Sequence, residues 1–336
     1  MLPKISVIIP VYNSKLYIKR AIESILCQTV QEFEIVIVDD GSTDNSISEI
    51  NKIKDERIKI YQIKHGGVSI ARNTGANLAQ SDFIAFLDSD DEWTNIFIET
   101  VLKLKEKYPQ AGIFATTSFL IKRDNQKLNE NVLIFKDVLF EKNYFSYYLK
   151  NSEVIHIHGI ALFKKIFNEM NGFNEKSAWG EDEDFIFRIA LKYPIAYSYT
   201  ICVIGYLSVN WREKTSKRVL ITKEHPFIKN GRKAINEDNI PKQMINDLIN
   251  LISRLQIFSA RHNIIAGNFE YARKILNDID NRYYKLRKFY LYFWVDLSNL
   301  IGKKGCKTLF YLHYSLLIKI SRFLEQYLHV KIKAYI

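Results

Sequence analysis

Two aspartates one residue apart, Asp88 and Asp90, follow directly on the apolar run Phe83–Leu87, with Asp91 next. Carboxylate oxygens are the ligands that hard divalent cations such as Mg²⁺ and Mn²⁺ select. An Asp-Ser-Asp at the end of a buried strand lets both acids face one cavity. This is the first candidate metal site, of the kind a diphosphate leaving group requires. The same spacing recurs at Asp182-Glu183-Asp184 and Asp278-Ile279-Asp280. Such a pair is commonly a solvated loop or a helix cap, and the strand in front of it sets the first copy apart.

Other clusters carry chemistry beside a plainer structural reading. Asp39 and Asp40 end the run Val36-Ile37-Val38. Asp40-Gly41-Ser42-Thr43 reads as a turn into a helix N-cap. A carboxylate there could equally accept the imide N–H of uracil or guanine while Tyr12 stacks on the base, and the two acids can serve one role each. Arg72, in Ala71-Arg72-Asn73-Thr74-Gly75, reads as a surface ion-pair residue or as a group that reaches a phosphate or holds the acidic cluster. Glu181-Asp182-Glu183-Asp184 opens a helix whose apolar face is Phe185, Ile186, Ile189 and Ala190. Four acids suit the positive end of the helix dipole. One of them could serve as general base. Trp179 is a flat platform for a sugar ring or a packing residue.

These residues need elements to place them. Ile5–Ile9, Glu34–Val38, Arg57–Tyr61 and Phe83–Leu87 are short, near-continuous apolar runs, as in parallel strands buried on both faces. Helical patterns alternate with them: Ser14–Gln28 with Asn13 or Ser14 as cap, a second after Ser42-Thr43, and Val68–Leu78 after Gly66-Gly67. The order predicts an α/β domain with right-handed crossovers. Ligands in such sheets bind beyond the carboxyl ends of the strands. Pro10–Asn13, Asp39–Ser42 and Asp88–Asp91 should therefore converge on one rim. No GxGxxG follows a strand and no GxxxxGK[ST] occurs, which argues against a nicotinamide-binding Rossmann domain and a P-loop NTPase.

Together, Ser6–Asn13, Val36–Asp44, Ala71–Gly75, Phe86–Asp91 and Gly172-Phe173-Asn174-Glu175 with Glu181-Asp182 resemble family-2 glycosyltransferases, in order and in spacing, over roughly residues 4–210. The resemblance implies a GT-A fold and an inverting transfer of one sugar from a nucleotide-sugar donor to an acceptor hydroxyl. Carried over by position, Pro10, Tyr12 and Asp40 line the nucleoside pocket with Asp39 close by, and Arg72 sits beside the donor. Asp88 and Asp90 become the DxD pair, with Ser89 between them among the donor-binding residues. Asp90 ligates Mn²⁺ or Mg²⁺ directly, and Asp88 holds the ribose or a metal-bound water. Asp182 is the general base, and Glu181 and Asp184 orient the acceptor or the base. Arg212 and Lys214 occupy the place of the family's loop over the diphosphate. The QxxRW motif of processive synthases is absent, so a single addition is expected. UDP is favoured as donor nucleotide on family frequency. The acceptor is expected to be a glycan, lipid-linked in one reading, in bacterial surface-polysaccharide synthesis.

A chain of 336 residues with 47% hydrophobic and 25% charged residues is globular and long enough for a core domain plus an appended region. We place the catalytic domain at 1–220 and a helical, basic, aromatic-rich region at 221–336. Three scattered cysteines make neither a disulfide framework nor a zinc site, which fits a cytoplasmic setting. No signal peptide and no transmembrane helix is read. The net charge is +11. Eleven Lys and Arg stand against Asp296 and Glu325 from Asn281 onward, so 11 − 2 = +9 lies in the tail. Cationic, aromatic, amphipathic segments suit an anionic membrane surface, here the inner face of the cytoplasmic membrane. Packing on the catalytic domain or a homodimer interface are the alternatives, and nucleic acid is not expected. Two other classes stand beside the transferase: a nucleotidyltransferase, which lacks its glycine-rich basic loop here, and a non-catalytic binding scaffold.

Overall fold

The computed structural model describes residues 2–121, 136–151, 155–177, 179–206, 224–237 and 240–314. Its strands are β1 (Ile5–Val11), β2 (Phe33–Asp39), β3 (Ile58–Gln62), β4 (Phe83–Phe86), β5 (Glu92–Trp93), β6 (Ile113–Ile121), β7 (Asp137–Phe140), β8 (Ile160–Phe163) and β9 (Ile195–Tyr206). Its helices are α1 (Ile18–Leu26), α2 (Ser46–Asn51), α3 (Val68–Leu78), α4 (Phe97–Lys107), α5 (Tyr144–Lys150), α6 (Lys164–Glu169), α7 (Glu181–Ala190), α8 (Pro226–Asn236), α9 (Lys242–Ala266), α10 (Phe269–Asn277) and α11 (Lys285–Ile301). The chain divides into two compact units: Met1–Lys217 with Lys229–Asp247, and Arg218–Ile228 with Leu248–Ile336.

The first unit is built on one sheet, ordered β3-β2-β1-β4-β8-β6-β9-β5, with β7 paired to β9. β3, β2, β1 and β4 run parallel, as the alternation of strands and helices predicts. β8 then enters antiparallel between β4 and β6, and β9 runs parallel to β6. β1 and β2 are buried at every position, because helices cover both faces and β-branched residues fill them. β3 departs from the expected full burial: it is the edge strand, with Ile58, Ile60 and Tyr61 half-buried and Lys59 and Gln62 exposed.

Helix α3 lies unusually close to β1. A Cβ on Gly75 would stand 2.5 Å from Cγ2 of Ile8, so the close approach needs glycine there. Arg72 is three residues earlier on the same face and is carried inward with it. The expected capping of α1 by Asn13 or Ser14 is not what forms: the helix starts later, at Ile18, without a side-chain cap. Asn13 instead bridges to the β2–α2 turn, and the Ser14 hydroxyl meets Ser89.

The second unit has its own core. Ala260, Ile264, Phe269, Ala272, Leu276, Leu291, Trp294 and Phe310 close it from α9, α10, α11 and the helical residues 303–314. All three cysteines are free. Among the described residues no helix is long and apolar enough to cross a membrane.

Candidate active site

Hydrogen bonds from side chains to backbone shape one wall at the carboxyl ends of β1, β2 and β4. Asn13 takes a left-handed backbone, φ 49°, which asparagine tolerates better than most residues. Its Oδ1 accepts from the amides of Thr43 (2.8 Å) and Asp44 (3.2 Å), and its own amide donates to Ser42 Oγ (3.0 Å). Ser14 Oγ and Ser89 Oγ lie 2.7 Å apart, joining the β1 end to the Asp88–Asp91 turn. Above them the Tyr12 and His65 rings stack at 4.2 Å and 22° on the exposed rim. Pro10 lies in β1, within this wall.

The two acids after β2 divide as one role each. Asp40 is buried and its oxygens accept from the amides of Gly66 (2.7 Å) and Gly67 (2.9 Å) at the start of α3. His65 Nδ1 sits 2.9 Å from the same carboxylate. Asp40 is therefore engaged by the start of α3, and a carboxylate with about four acceptor sites keeps capacity for a further donor. Asp39 makes only longer contacts, to the Ser42 amide at 3.2 Å and Gln62 Nε2 at 3.4 Å.

Asp88 begins the acidic turn. Arg72, 4% exposed, donates from Nη2 to Asp88 Oδ1 at 2.7 Å, and its Nη1 lies 3.6 Å from Glu181 Oε1. Among the described residues, Nε and Nη1 of Arg72 have no hydrogen-bond partner. An anionic ligand would satisfy these buried donors. Burial alone would raise the Asp88 carboxyl, but Arg72 and then His158 outweigh it and hold it below the usual carboxylate range.

Asp91 and His158 form a pair that sequence reasoning missed. Both are buried; His158 Nδ1 is 2.5 Å from Asp91 Oδ2, and Asp91 Oδ1 accepts from the Tyr206 amide at 3.0 Å. His158 Nε2 meets Ser118 Oγ at 3.1 Å, and its carbonyl accepts from Trp93 Nε1 at 2.7 Å. Burial disfavours a charged imidazole here, yet the bond and charge of Asp91 prevail and raise His158 above the ordinary histidine value. Nothing local marks His158: it lies 67 positions from Asp91. Arg20, also missed, donates to the Asp90 carbonyl and stacks 3.5 Å from the Tyr206 ring centroid.

Ligand-capable atoms of Asp88, Asp91 and His158 lie within 4.8 Å of one another. Asp91 and His158 already hold each other, Tyr206 and Ser118. Asp88, with Asp90 two residues on, is half-buried on the turn that this pair braces.

The opposite wall is the first turn of α7. Gly180 adopts φ 66°, and Glu181, Asp182, Glu183 and Asp184 follow. Burial, then the charge of Asp182, raises the pKa of Glu181 despite Arg72. Asp182 Oδ1 accepts from the Glu183 amide at 2.8 Å. Tyr148 donates to Glu183 Oε1 at 2.7 Å. Asp184 corrects an expectation: it is 1% exposed and held by Arg188 Nε and Asn230 Nδ2, both at 2.8 Å. It anchors the helix and is closed to an acceptor. Trp179 is half-buried immediately before the helix, and Ser177 Oγ donates to its carbonyl at 2.6 Å. Asn73 ties the walls together, accepting from the Phe173 amide (2.8 Å) and donating to the Phe173 carbonyl (3.0 Å). Arg212 and Lys214 lie outside the described residues.

Residues 6–170 match the family model for glycosyl transferase family 2. An uncharacterized glycosyltransferase of Rickettsia felis is 48% identical over 129 residues, 38% of this chain and 20% of that protein. The chain spans between about a fifth and two-fifths of the first curated relatives it matches. Two solved structures share the fold. One is Staphylococcus aureus TarS 1–349 in complex with UDP-GlcNAc, with TM-score 0.66 and 17% identity, over 91% of this chain and 90% of that one. The other is the mannosyltransferase PcManGT of Pyrobaculum calidifontis with GDP-Man and Mn²⁺, with TM-score 0.55 and 17% identity, over 95% and 87%. The mixed sheet flanked by helices is that of GT-A proteins, and residues 6–170 are similar, in their matched sequence and their motifs, to the family-2 glycosyltransferases.

Proposed function

We propose that the chain is an inverting, non-processive glycosyltransferase that moves one sugar from a nucleotide-diphosphate sugar, UDP favoured, to a hydroxyl of a glycan acceptor. Bacterial capsule, lipopolysaccharide or exopolysaccharide synthesis is the setting we favour, with the acceptor lipid-linked and the protein cytoplasmic and peripheral at the inner face of the membrane. The observation that carries the catalytic reading is Arg72, buried between the two acidic walls, 2.7 Å from Asp88 and 3.6 Å from Glu181.

In this reading the nucleobase lies on the Tyr12–His65 stack, and Asp40, with Asp39 close by, lines the pocket so that one of the two carboxylates accepts its imide N–H. Arg72 faces the diphosphate with its unpartnered donors. Asp88 and Asp90 would hold Mn²⁺ or Mg²⁺, which neutralises charge developing on the leaving diphosphate. Asp182 takes the proton from the acceptor hydroxyl as its oxygen attacks the anomeric carbon. The neighbouring Glu181 is shifted toward its neutral form, which lessens repulsion of the base. Trp179 offers the acceptor sugar a flat face.

Thermal unfolding with UDP, GDP, CDP and dTDP, each with and without Mn²⁺, tests the donor site. A ligand at a hundredfold excess over Kd stabilises the native state by about 2.7 kcal/mol. Cation-dependent stabilisation by one nucleotide is expected. No shift with any of them sinks the reading. Transfer to a glycan acceptor with inverted anomeric configuration, read by NMR, tests the chemistry.

A further inference from the structure

Helix α11 is apolar on two opposite faces. Leu291, Trp294, Val295 and Ser298 are buried in the second unit. Leu286, Phe289, Phe293, Leu297 and Leu300 recur at separations of three, four, four and three residues, which places them along one stripe. Four of the five point away from the core, with Leu286 86% exposed, Phe289 76%, Phe293 54% and Leu300 83%, while Leu297 is half-buried at the stripe's edge and packs against the core. Soluble surfaces seldom carry so continuous an apolar strip without something to cover it.

The charge around the stripe says what covers it. Lys285, Arg287 and Lys288 stand at its start, Lys303, Lys304 and Lys307 just past its end, and Asp296 is the one acid from 285 to 307. Asp296 is paired with Arg273. A symmetric contact with a second copy of the chain would set these cations against their own kind. An anionic bilayer meets both needs, with headgroups for the lysines and an acyl boundary for Leu and Phe. The helix has 17 residues and does not meet the length and apolarity a span requires, so it would lie along the surface.

We propose that the Leu286–Leu300 stripe of α11 is a docking surface for anionic phospholipid membranes, with the flanking lysines in the headgroup layer. This names the surface behind the membrane part of the proposed function. The test is flotation of the full-length protein with phosphatidylcholine vesicles, with and without phosphatidylglycerol. Wild type should bind the anionic vesicles and lose them as salt rises. Phe289→Glu with Leu300→Glu should weaken binding by about tenfold or more, and Lys285→Gln with Lys304→Gln should weaken it and flatten its salt dependence. These are surface positions, and an unchanged melting temperature checks the fold. If the stripe variant binds anionic vesicles as wild type does, the surface assignment fails while membrane binding stands. If wild type binds no vesicle, the proposal fails outright. Self-association in light scattering that the stripe variant abolishes, without vesicle binding, would give the face to a second copy. The nucleotide-induced thermal shift, measured on the same variants, reports the donor site separately.

Discussion

The two walls of the candidate site are held in different ways. On the donor side, backbone turns are pinned by uncharged or already paired side chains: Asn13 on Thr43 and Asp44, Ser14 on Ser89, Asp40 on Gly66 and Gly67. On the acceptor side, four successive acids sit in one helical turn, and only Asp184 is fully buried with both oxygens held. A wall of the first kind fixes shape before a ligand arrives. A wall of the second kind concentrates negative charge, and the helix dipole and Arg72 make that tolerable. In the proposed function, recognition of the nucleotide belongs to the first and proton transfer to the second, with Arg72 touching Asp88 on one and Glu181 on the other.

The largest expected effect breaks the donor side. Asp90→Ala should lower transfer by roughly 10⁴-fold, because leaving-group stabilisation and donor binding go together. Cation-dependent stabilisation by the nucleotide should vanish with it, and survival of that stabilisation would move the cation elsewhere. Asp182→Asn should lower kcat by about 10³-fold and leave nucleotide binding intact. An active Asp182→Asn variant would falsify the base assignment and erase the division between the walls.

His158→Phe asks whether the donor wall needs its buried brace. Stranding the Asp91 carboxylate should cost about 3 kcal/mol or more in denaturant unfolding. His158→Gln, which can still donate, should recover part of that loss. If both variants are as stable as wild type, the pair does not brace the turn. Gly75→Ala should cost about 1–3 kcal/mol through the clash with Ile8, and lower nucleotide affinity by moving Arg72.

The smallest effect separates the walls by pH. Glu181 has a folded pKa above its unfolded value, so its ionisation costs stability as pH rises through that folded pKa. Glu181→Gln should therefore raise the melting temperature at pH 8, and the gain should disappear below pH about 4, the unfolded glutamate range. An equal gain at both pH values would show that charge on the acceptor wall is not the cause.

The sequence made the parallel half of the sheet readable because β1, β2 and β4 are buried on both faces and so carry unbroken apolar runs. The insertion of β8 between β4 and β6 left no such trace, since pairing partners are set by tertiary topology. Asp88, Asp90, Arg72, Glu181 and Asp182 were visible as polar clusters at element ends, and the structure brings them to one rim. His158, Arg20 and His65 were not, because their partners lie 67, 70 and 25 positions away. The inward turn of Asp184 was hidden for a similar reason: in a run of four acids, only the packing of α7 on Asn230 decides which one faces the core.

The clasp of Asn73 on Phe173 has a consequence for how the molecule comes into being. It joins residues 100 positions apart. At roughly 5–20 residues per second, synthesis leaves about 5–20 s between the two. During that interval β1 to β4 can assemble with Arg72 facing only Asp88. The His158 brace of the Asp88–Asp91 turn and the carboxylate wall of α7 can be laid against this half only once residues 158 and 181–190 have been made. Long-range closure of this kind slows folding.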